Sequence, residues 1–272
     1  MYDTHCHPYL QKNKKISEIF LNFKKSSGFF LNSIWVDIET SIKSIELSKQ
    51  NDFVYATVWI HPCDILKYKD DLKWTIKKLE ELYIENEKNI VAIWECWLDY
   101  HWLESMTKNS WLKKEDIKKI QKDFFEAQVK LAKKLWLCLV IHNRNSKEDI
   151  LEILEKLDFK EFIFHCYSED LDYARRLISF SPNCKISFSG IVTFKNAISI
   201  QETAKSIPLE NIIIETDSPY LTPTPLRWKE ENEPSFTKYV LEKIIEFRDE
   251  SREQIEVQIL KNSLEIFWLK KV

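Results

Sequence analysis

The sequence predicts a single-domain (β/α)8 barrel over residues 1–272. Short apolar, β-branched segments recur along the chain, and each is followed by a longer charged segment with helical spacing. Eight such alternating units in about 250 residues correspond to the size of a (β/α)8 barrel. A doubly wound open sheet is the alternative fold, because the order of strands within a sheet cannot be read from one sequence.

Predicted strands and helices alternate throughout the chain. The strands lie, in chain order, at residues 1–6, 29–36, 53–60, 90–96, 137–142, 161–166, 184–189 and 211–216. The clearest helical segments are 69–88, 114–135, 146–157 and 169–180, and two more helices are predicted after the last strand. No repeat, linker or low-complexity segment divides the chain, so we expect one domain.

The composition is that of a soluble globular protein with a substantial core, since 44% of the 272 residues are hydrophobic and 31% are charged. The chain has neither a run of about 18 apolar residues nor a basic, apolar leader, so we expect a cytoplasmic protein without a membrane span. A formal net charge of −3 excludes general attraction to nucleic acid and still allows a local basic cluster. The six cysteines form no close pairs, which favours buried thiols over a zinc ribbon or a disulfide framework.

Histidines and acids cluster at the ends of the predicted strands. These residues are His5, His7, His61, Glu95, His142, His165 and Asp217. In a parallel barrel the carboxyl end of every strand opens on the same face, so we expect these side chains to converge there. His61 is as readily explained by a rigid turn before the adjacent proline as by function. His101, which follows the fourth strand, is interpreted as a hydrogen-bonded structural residue.

This set of side chains predicts a metal-dependent hydrolase. The H-x-H pair places the imidazoles of His5 and His7 on the same side of the first strand, because side chains alternate with period two. Two further imidazoles and two carboxylates complete a ligand set for two divalent ions, and a central carboxylate can bridge both. Two such ions can orient and deprotonate a water while they stabilise charge on a leaving oxygen.

The motifs resemble those of the TatD family of metal-dependent deoxyribonucleases, in order and nearly end to end. They are "DTHCH", "IHPCD", "IWECWLDYH", "LVIHNR", "FIFHCYS", "SFSGIVTFKNA" and "IIIETDSPYLTPTPLRWKEENEP". The resemblance implies a (β/α)8 barrel with two divalent metal ions that hydrolyses phosphodiester bonds of DNA, commonly as a 3′→5′ exonuclease. DNA ends or single-stranded DNA would be the substrate, and no obligate protein partner is inferred.

The resemblance also implies individual roles. His5 and His7 correspond to ligands of the first metal, and His142 and His165 to ligands of the second. Glu95 corresponds to the bridging ligand. Asp217 corresponds to a first-metal ligand that also handles the proton of the water, which makes Glu95 and Asp217 the predicted catalytic pair.

Predicted substrate contacts follow from the same resemblance. They are His61, Arg144, Thr193, Lys195 and Arg227, of which several carry the positive charge that phosphate requires. Each of them can equally be structural. Family habit and phosphoryl chemistry favour Mg²⁺, whereas four imidazoles suit Zn²⁺, Mn²⁺, Fe²⁺ or Co²⁺.

Two other functions remain open. One is a related metal-dependent hydrolase that acts on an ester or amide, such as D-aminoacyl-tRNA, because rim loops decide what reaches the metals. The other is a metal-binding scaffold without catalysis.

Tryptophan stands where the family pattern has glycine. The chain has two glycines and ten tryptophans, whereas ordinary usage of glycine predicts roughly 19. The motif positions concerned are Trp59, Trp94, Trp97, Trp136 and Trp228, and Trp35 and Trp268 are plausibly the same. The last motif, "RWKEENEP", also carries one residue more than the family pattern. Our hypothesis is that the gene comes from a lineage that reads UGA as glycine and was translated with UGA as tryptophan. The alternative is a family member with genuine tryptophans.

Overall fold

Eight parallel strands form a barrel, as predicted. The structure is a computed structural model that describes residues 1–35, 37–58 and 65–269, without the side chains of 94–97 and 109. The strands are β1 (Tyr2–Cys6), β2 (Phe30–Ser33), β3 (Val54–Val58), β4 (Ile90–Asp99), β5 (Cys138–Arg144), β6 (Phe162–Phe164), β7 (Lys185–Phe188) and β8 (Ile212–Ile214). Their order in the sheet is β1 to β8 in sequence, and all neighbouring pairs are parallel. The doubly wound alternative is therefore wrong, because its strand order would reverse direction.

Helices surround the barrel. They are α1 (Ile16–Lys25), α2 (Ile38–Gln50), α3 (Leu72–Glu85), α4 (Leu103–Ser110), α5 (Lys114–Leu135), α6 (Lys147–Leu157), α7 (Leu171–Phe180), α8 (Ile198–Ser206), α9 (Thr237–Phe247) and α10 (Arg252–Ile266). The predicted helix over 114–135 is confirmed at both ends. Asp71, Asp170 and Ser251 each precede a helix, and their side chains accept a backbone N–H of its first turn. Within the described residues, no helix is both long and apolar enough to cross a membrane.

The interior of the barrel has an apolar layer below a polar one. Val140, Ile163 and Ile213 belong to one buried cluster. Each is followed two residues later by a polar side chain, and side chains two apart in a strand point to the same side. For β5 and β6 the polar residues are His142 and His165. The polar residues therefore point into the barrel on the same side as the apolar layer, one step further toward its mouth.

Hydrogen bonds between β1 and the segment after β8 close the barrel. The backbone N–H of Asp217 donates to the carbonyl of His5 at 2.9 Å, and that of His7 donates to the carbonyl of Ser218 at 2.8 Å. The buried carboxylate of Asp3 accepts the N–H of Thr216 at 2.9 Å and its hydroxyl at 2.6 Å. The first and last strands are thereby joined at the level of the predicted site.

Among the described residues, four tryptophans have a left-handed backbone conformation. They are Trp111 (φ 61°), Trp136 (φ 57°), Trp228 (φ 68°) and Trp268 (φ 54°). Only a few per cent of non-glycine residues adopt positive φ. All four side chains are exposed, with exposed fractions of 96%, 85%, 88% and 63% in the same order. Trp111 and Trp136 end α4 and α5, where a left-handed residue is usually glycine. The backbone at these positions therefore favours glycine.

We predict that Trp136→Gly stabilises the protein. Trp136 has φ 57° and ψ 36° at the end of α5, a conformation that costs a residue with a Cβ about 1–2 kcal/mol and glycine almost nothing. Part of that gain is lost to the greater backbone entropy of unfolded glycine, so we expect the free energy of unfolding to rise by about 1 kcal/mol. Urea denaturation measures the change.

Trp74→Gly is the matched control. Trp74 is an exposed tryptophan in the first turn of α3, where glycine is expected to destabilise the helix by about 0.5 kcal/mol relative to tryptophan. The same substitution should therefore have opposite effects at the two helices. Equal destabilisation at both positions would contradict the interpretation of Trp136.

Candidate metal centre

His5 and His7 form the centre of the site. Both side chains are buried at the end of β1, and their Nε2 atoms lie 2.9 Å apart. Nδ1 of His7 lies 3.0 Å from the carbonyl oxygen of Ile34. Because a carbonyl oxygen can only accept, we assign the proton of neutral His7 to Nδ1. The Nε2 atom of His7 then faces His5 with a lone pair, which is the form that binds a metal.

Asp217 adds a carboxylate to this pair. Its Oδ1 lies 3.3 Å from Nε2 of His5 and 3.5 Å from Nε2 of His7. Asp217 has φ 55°, a left-handed conformation that aspartate tolerates better than most residues. The ligand atoms of these three residues lie within 4.8 Å of one another, close enough to hold one ion.

His165 and His142 extend the cluster across the mouth of the barrel. The ring of His165 stacks on that of His5, with centroids 3.9 Å apart and an interplanar angle of 16°. The ring of His142 lies 5.2 Å from that of His165. The structure thus brings together five of the six predicted ligands. The sixth, Glu95, lies in β4, and its side chain is outside the described residues.

The backbone of β4 is irregular around Glu95. The pairing of β4 with β5 shifts register between Ile93 and Cys96, and beyond the shift Trp97 pairs with His142. Irregularities of this kind re-aim side chains and are frequent beside active sites. The neighbouring strand β5 therefore carries another predicted ligand, His142, close to Glu95 along the sheet.

Burial keeps the central imidazole neutral. The pKa of His5 is well below its ordinary value, chiefly because the ring is buried and secondly because the imidazoles of His165, His7 and His142 surround it. A protonated imidazole cannot bind a metal ion. Three imidazoles and a carboxylate in contact are a donor set that fits a divalent cation. The residues present therefore fit the ions implied by the resemblance, and their roles as ligands stay a prediction.

Four of the predicted substrate contacts lie at the end of β5 and in the loops after β7 and β8. Arg144 and Lys195 are exposed. The guanidinium of Arg227 lies 3.6 Å from the centre of the Phe194 ring. The hydroxyl of Thr193 donates to the carbonyl of Gly190 at 2.7 Å and accepts the N–H of Thr224 at 2.8 Å, so it joins two loops. His61 lies outside the described residues, and the part of all five in substrate binding stays a prediction.

Gly190 and Asn232 each make contacts that hold these loops in place. A Cβ on Gly190 would lie 1.9 Å from the carbonyl oxygen of Leu221, so no larger residue fits there. Asn232 is buried and donates to the carbonyls of Thr216 and Tyr220. The additional residue of "RWKEENEP" precedes Asn232, which still reaches the segment that carries Asp217.

Sequence reasoning missed two buried carboxylates beside the cluster. Asp3 lies two residues before His5, and Glu215 lies two residues before Asp217. Strand periodicity places residues two apart on the same side, and this signal was present in both motifs. Glu215, directly after β8, contacts His165, directly after β6, with its Oε1 2.8 Å from Nδ1 of the histidine.

His101, by contrast, is not part of the cluster, and its interpretation as a hydrogen-bonded structural residue stays a prediction. Its side chain is exposed, and its backbone N–H donates to Oδ1 of Asp99 at 2.9 Å.

Comparisons with known proteins agree with this geometry. A family model described as TatD related DNase matches residues 2–268. The chain is 35% identical over 271 residues to YabD, an uncharacterised metal-dependent hydrolase of Bacillus subtilis, with 98% of each chain covered. It is 36% identical over 275 residues to an uncharacterised metal-dependent hydrolase of Mycoplasma genitalium, again with 98% of each covered.

Two solved structures share the fold. YjjV, a TatD homologue from Escherichia coli, superposes with a TM-score of 0.84 at 20% identity, covering 99% of this chain and 98% of YjjV. A hydrolase of the TatD family from Entamoeba histolytica gives a TM-score of 0.82 at 18% identity, with 99% and 98% covered.

We predict that Asp3→Ala destabilises the protein by about 3 kcal/mol, because it removes the acceptor of buried donors on Thr216 and His5. Asp3→Asn should cost less, about 1 kcal/mol, since its amide oxygen can still accept the two N–H groups. Chemical denaturation measures both. Equal losses for the two variants would show that the hydrogen bonds of Asp3 are not what stabilises the closure.

Proposed function

The chain belongs to the TatD family of metal-dependent hydrolases, and from that premise we propose that it cleaves phosphodiester bonds at DNA ends as a 3′→5′ exodeoxyribonuclease. The observation that carries the proposal is the contact between the imidazoles of His5 and His7 and the carboxylate of Asp217. Imidazole and carboxylate ligands at this spacing hold divalent ions in hydrolases that cleave phosphate esters.

The cluster would hold two divalent ions, with His5, His7 and Asp217 on the first and His142 and His165 on the second. When bound, the ions orient and acidify a water and stabilise the charge that develops on the leaving oxygen. Glu95 is proposed to bridge them. Mg²⁺ is the ion that we propose for activity, although the imidazoles also suit Zn²⁺, Mn²⁺, Fe²⁺ or Co²⁺.

Asp217 is proposed to accept the proton of the attacking water. Its side chain is the most accessible of the three groups in its cluster, with an exposed fraction of 16%, against 0% for His5 and 8% for His7. The carboxylate can therefore meet both the water and solvent. A positioned general base of this kind contributes about 10²–10⁴-fold to the rate.

Groups that can bind a DNA strand line the same face. Arg144 follows His142 by two residues, and the planar guanidinium of Arg227 stacks on Phe194, which leaves its N–H groups at the edge of the plane available for phosphate. Tyr220 is half-exposed, and its ring lies 6.1 Å from that of His7. Aromatic rings bind unpaired bases by stacking. Arginines for phosphate and an aromatic ring beside His7 for a base support single-stranded DNA ends as substrate.

We also propose that the functional protein carries glycine at the ten tryptophan positions, through UGA codons read as glycine. The left-handed backbone of Trp111, Trp136, Trp228 and Trp268 supports this, because glycine is the residue that adopts this conformation without cost. Two of these four, Trp136 and Trp228, are also positions where the family pattern has glycine. The chain with glycine at all ten positions is called the glycine form below.

We predict that the glycine form, supplied with Mg²⁺ or Mn²⁺, releases mononucleotides from the 3′ end of single-stranded DNA. Substrates labelled at either end show the direction of degradation on a denaturing gel. Asp217→Asn should lower the rate by about 10²–10⁴-fold, because the amide cannot accept a proton.

Asp158→Asn is the matched control. Asp158 ends α6 with φ 47°, a conformation that asparagine adopts equally well, and it leads into the opposite end of the barrel. The Asp158→Asn variant should release nucleotides at an unchanged rate. Cleavage of a small ester or of D-aminoacyl-tRNA without nucleotide release would overturn the assignment to DNA and favour the other hydrolase activity.

The codons test the second proposal directly. We predict that all ten tryptophan positions are encoded by UGA in the source gene. Peptide mass spectrometry of the protein from its own organism should then show glycine at Trp111 and Trp136. UGG codons, or peptides with tryptophan at these positions, would refute the recoding.

A further inference from the structure

Glu215 is a fully buried carboxylate beside the metal centre, and no role for it follows from the ligand set. It lies directly after β8, two residues before Asp217. Its Oε1 lies 2.8 Å from Nδ1 of His165 and accepts the backbone N–H of Cys166 at 2.8 Å. Its Oε2 accepts the hydroxyl of Ser187 at 2.6 Å. Both oxygens therefore have donors within the protein.

These contacts determine which nitrogen of His165 can bind a metal. A carboxylate that already accepts from Cys166 and Ser187 is in its acceptor form, so we assign the Nδ1 proton to His165. Nε2 of His165 is then the nitrogen with the lone pair. The same ring stacks on His5 and approaches His142, so it is held within the cluster of imidazoles.

The carboxylate also holds the backbone that follows the histidine. Cys166 has φ 45°, a left-handed conformation that an ordinary residue adopts at a cost. Its N–H meets the same oxygen as the histidine ring. The ring and the turn after it are therefore held by one group, and neither can shift without loss of a buried hydrogen bond.

Ser187 anchors Glu215 from β7, the strand between β6 and β8. The hydroxyl of Ser187 donates to Oε2 and lies 3.5 Å from the hydroxyl of Thr4 on β1. Thr4 in turn donates to the carbonyl of Ile214 at 3.0 Å. Glu215 is thus part of a buried polar layer beside the metal centre, and its hydrogen bonds restrict the rotation of its carboxylate.

We propose that Glu215 is a positioning residue of the metal centre, which acts by holding His165 with Nδ1 protonated and Nε2 directed at the metal. This inference rests on the metal centre of the proposed function. A carboxylate behind a histidine ligand fixes the orientation of the ring and raises its basicity, and loss of such a partner typically lowers metal affinity about 10–100-fold.

The geometry of the cluster also fits one competing role for Glu215. Ligand atoms of His5, His165 and Glu215 lie within 4.8 Å of one another, so Glu215 could itself bind an ion. In that case its substitution would remove a ligand and lower the number of ions bound. A positioning residue lowers affinity and leaves the number unchanged.

The experiment compares Mn²⁺ binding by full-length wild type and Glu215→Gln, using isothermal titration calorimetry. Glutamine keeps the size of the side chain and removes the negative charge that fixes the Nδ1 proton and raises the basicity of His165. We expect the affinity to fall about 10–100-fold with the stoichiometry unchanged. Wild-type affinity in the variant would overturn the proposal, and so would loss of one bound ion.

Glu233→Gln is the matched control. Glu233 is also a buried glutamate with three polar partners, Lys14, Asn22 and Ser235, none of which belongs to the metal centre. Its substitution should leave Mn²⁺ affinity unchanged even if it lowers stability. A general effect of buried charge removal would instead lower affinity in both variants and would overturn the specific role of Glu215.

A measurement on the metal-free wild type keeps the proposal testable even if Glu215→Gln does not fold. Long-range ¹H–¹⁵N correlation spectra distinguish the two neutral forms of histidine, and we expect His165 to carry its proton on Nδ1. A proton on Nε2 would overturn the assignment. Absence of any Mn²⁺ binding by the folded wild type would count against the proposed function, whereas equal binding by wild type and variant counts against this inference alone.

Discussion

The closure of the barrel between its first and last strands is the constraint on which the site depends. His5 and His7 come from one end of the chain and Asp217 from the other, and two backbone hydrogen bonds, from Asp217 to His5 and from His7 to Ser218, align them. Asp3 strengthens this junction because its carboxylate accepts from both the backbone and the hydroxyl of Thr216. The hydrogen bonds that complete the sheet are therefore the same ones that bring two imidazoles within contact of a carboxylate.

Acceptors within the protein orient the imidazoles of the site. Nδ1 of His7 meets the carbonyl of Ile34, and Nδ1 of His165 meets the carboxylate of Glu215. In both cases an acceptor behind the ring leaves Nε2 directed at the centre. Burial keeps the pKa of His5 well below its ordinary value, so its ring stays neutral. An ion that enters such a site finds imidazoles already oriented, and little conformational entropy is lost when it binds.

Several tryptophans occupy backbone conformations that favour glycine. Trp111 and Trp136 lie at the ends of helices with positive φ, and their large apolar side chains extend into solvent. Neither burial nor backbone preference explains an indole there, whereas glycine satisfies both. Gly190 is required for a different reason, since a Cβ at that position would collide with the carbonyl of Leu221. Close backbone approach and left-handed geometry are the two physical reasons for glycine, and the chain shows both.

Local sequence patterns predicted the eight alternating strands and helices and most of the residues at the mouth of the barrel, whereas the order of the strands was decided only by the tertiary structure. Alternation of apolar strands with amphipathic helices is a local property, and the rule that parallel strands open on one face placed His142, His165 and Asp217 together. Only the tertiary structure showed that Glu215 supports His165 and that the hydroxyl of Thr193 joins two loops, because these contacts connect residues that no local pattern relates. Which nitrogen of an imidazole is protonated likewise depends on the acceptor behind the ring, and that acceptor comes from another strand. Periodicity specifies the side to which a residue points, whereas packing of distant segments decides what it meets there.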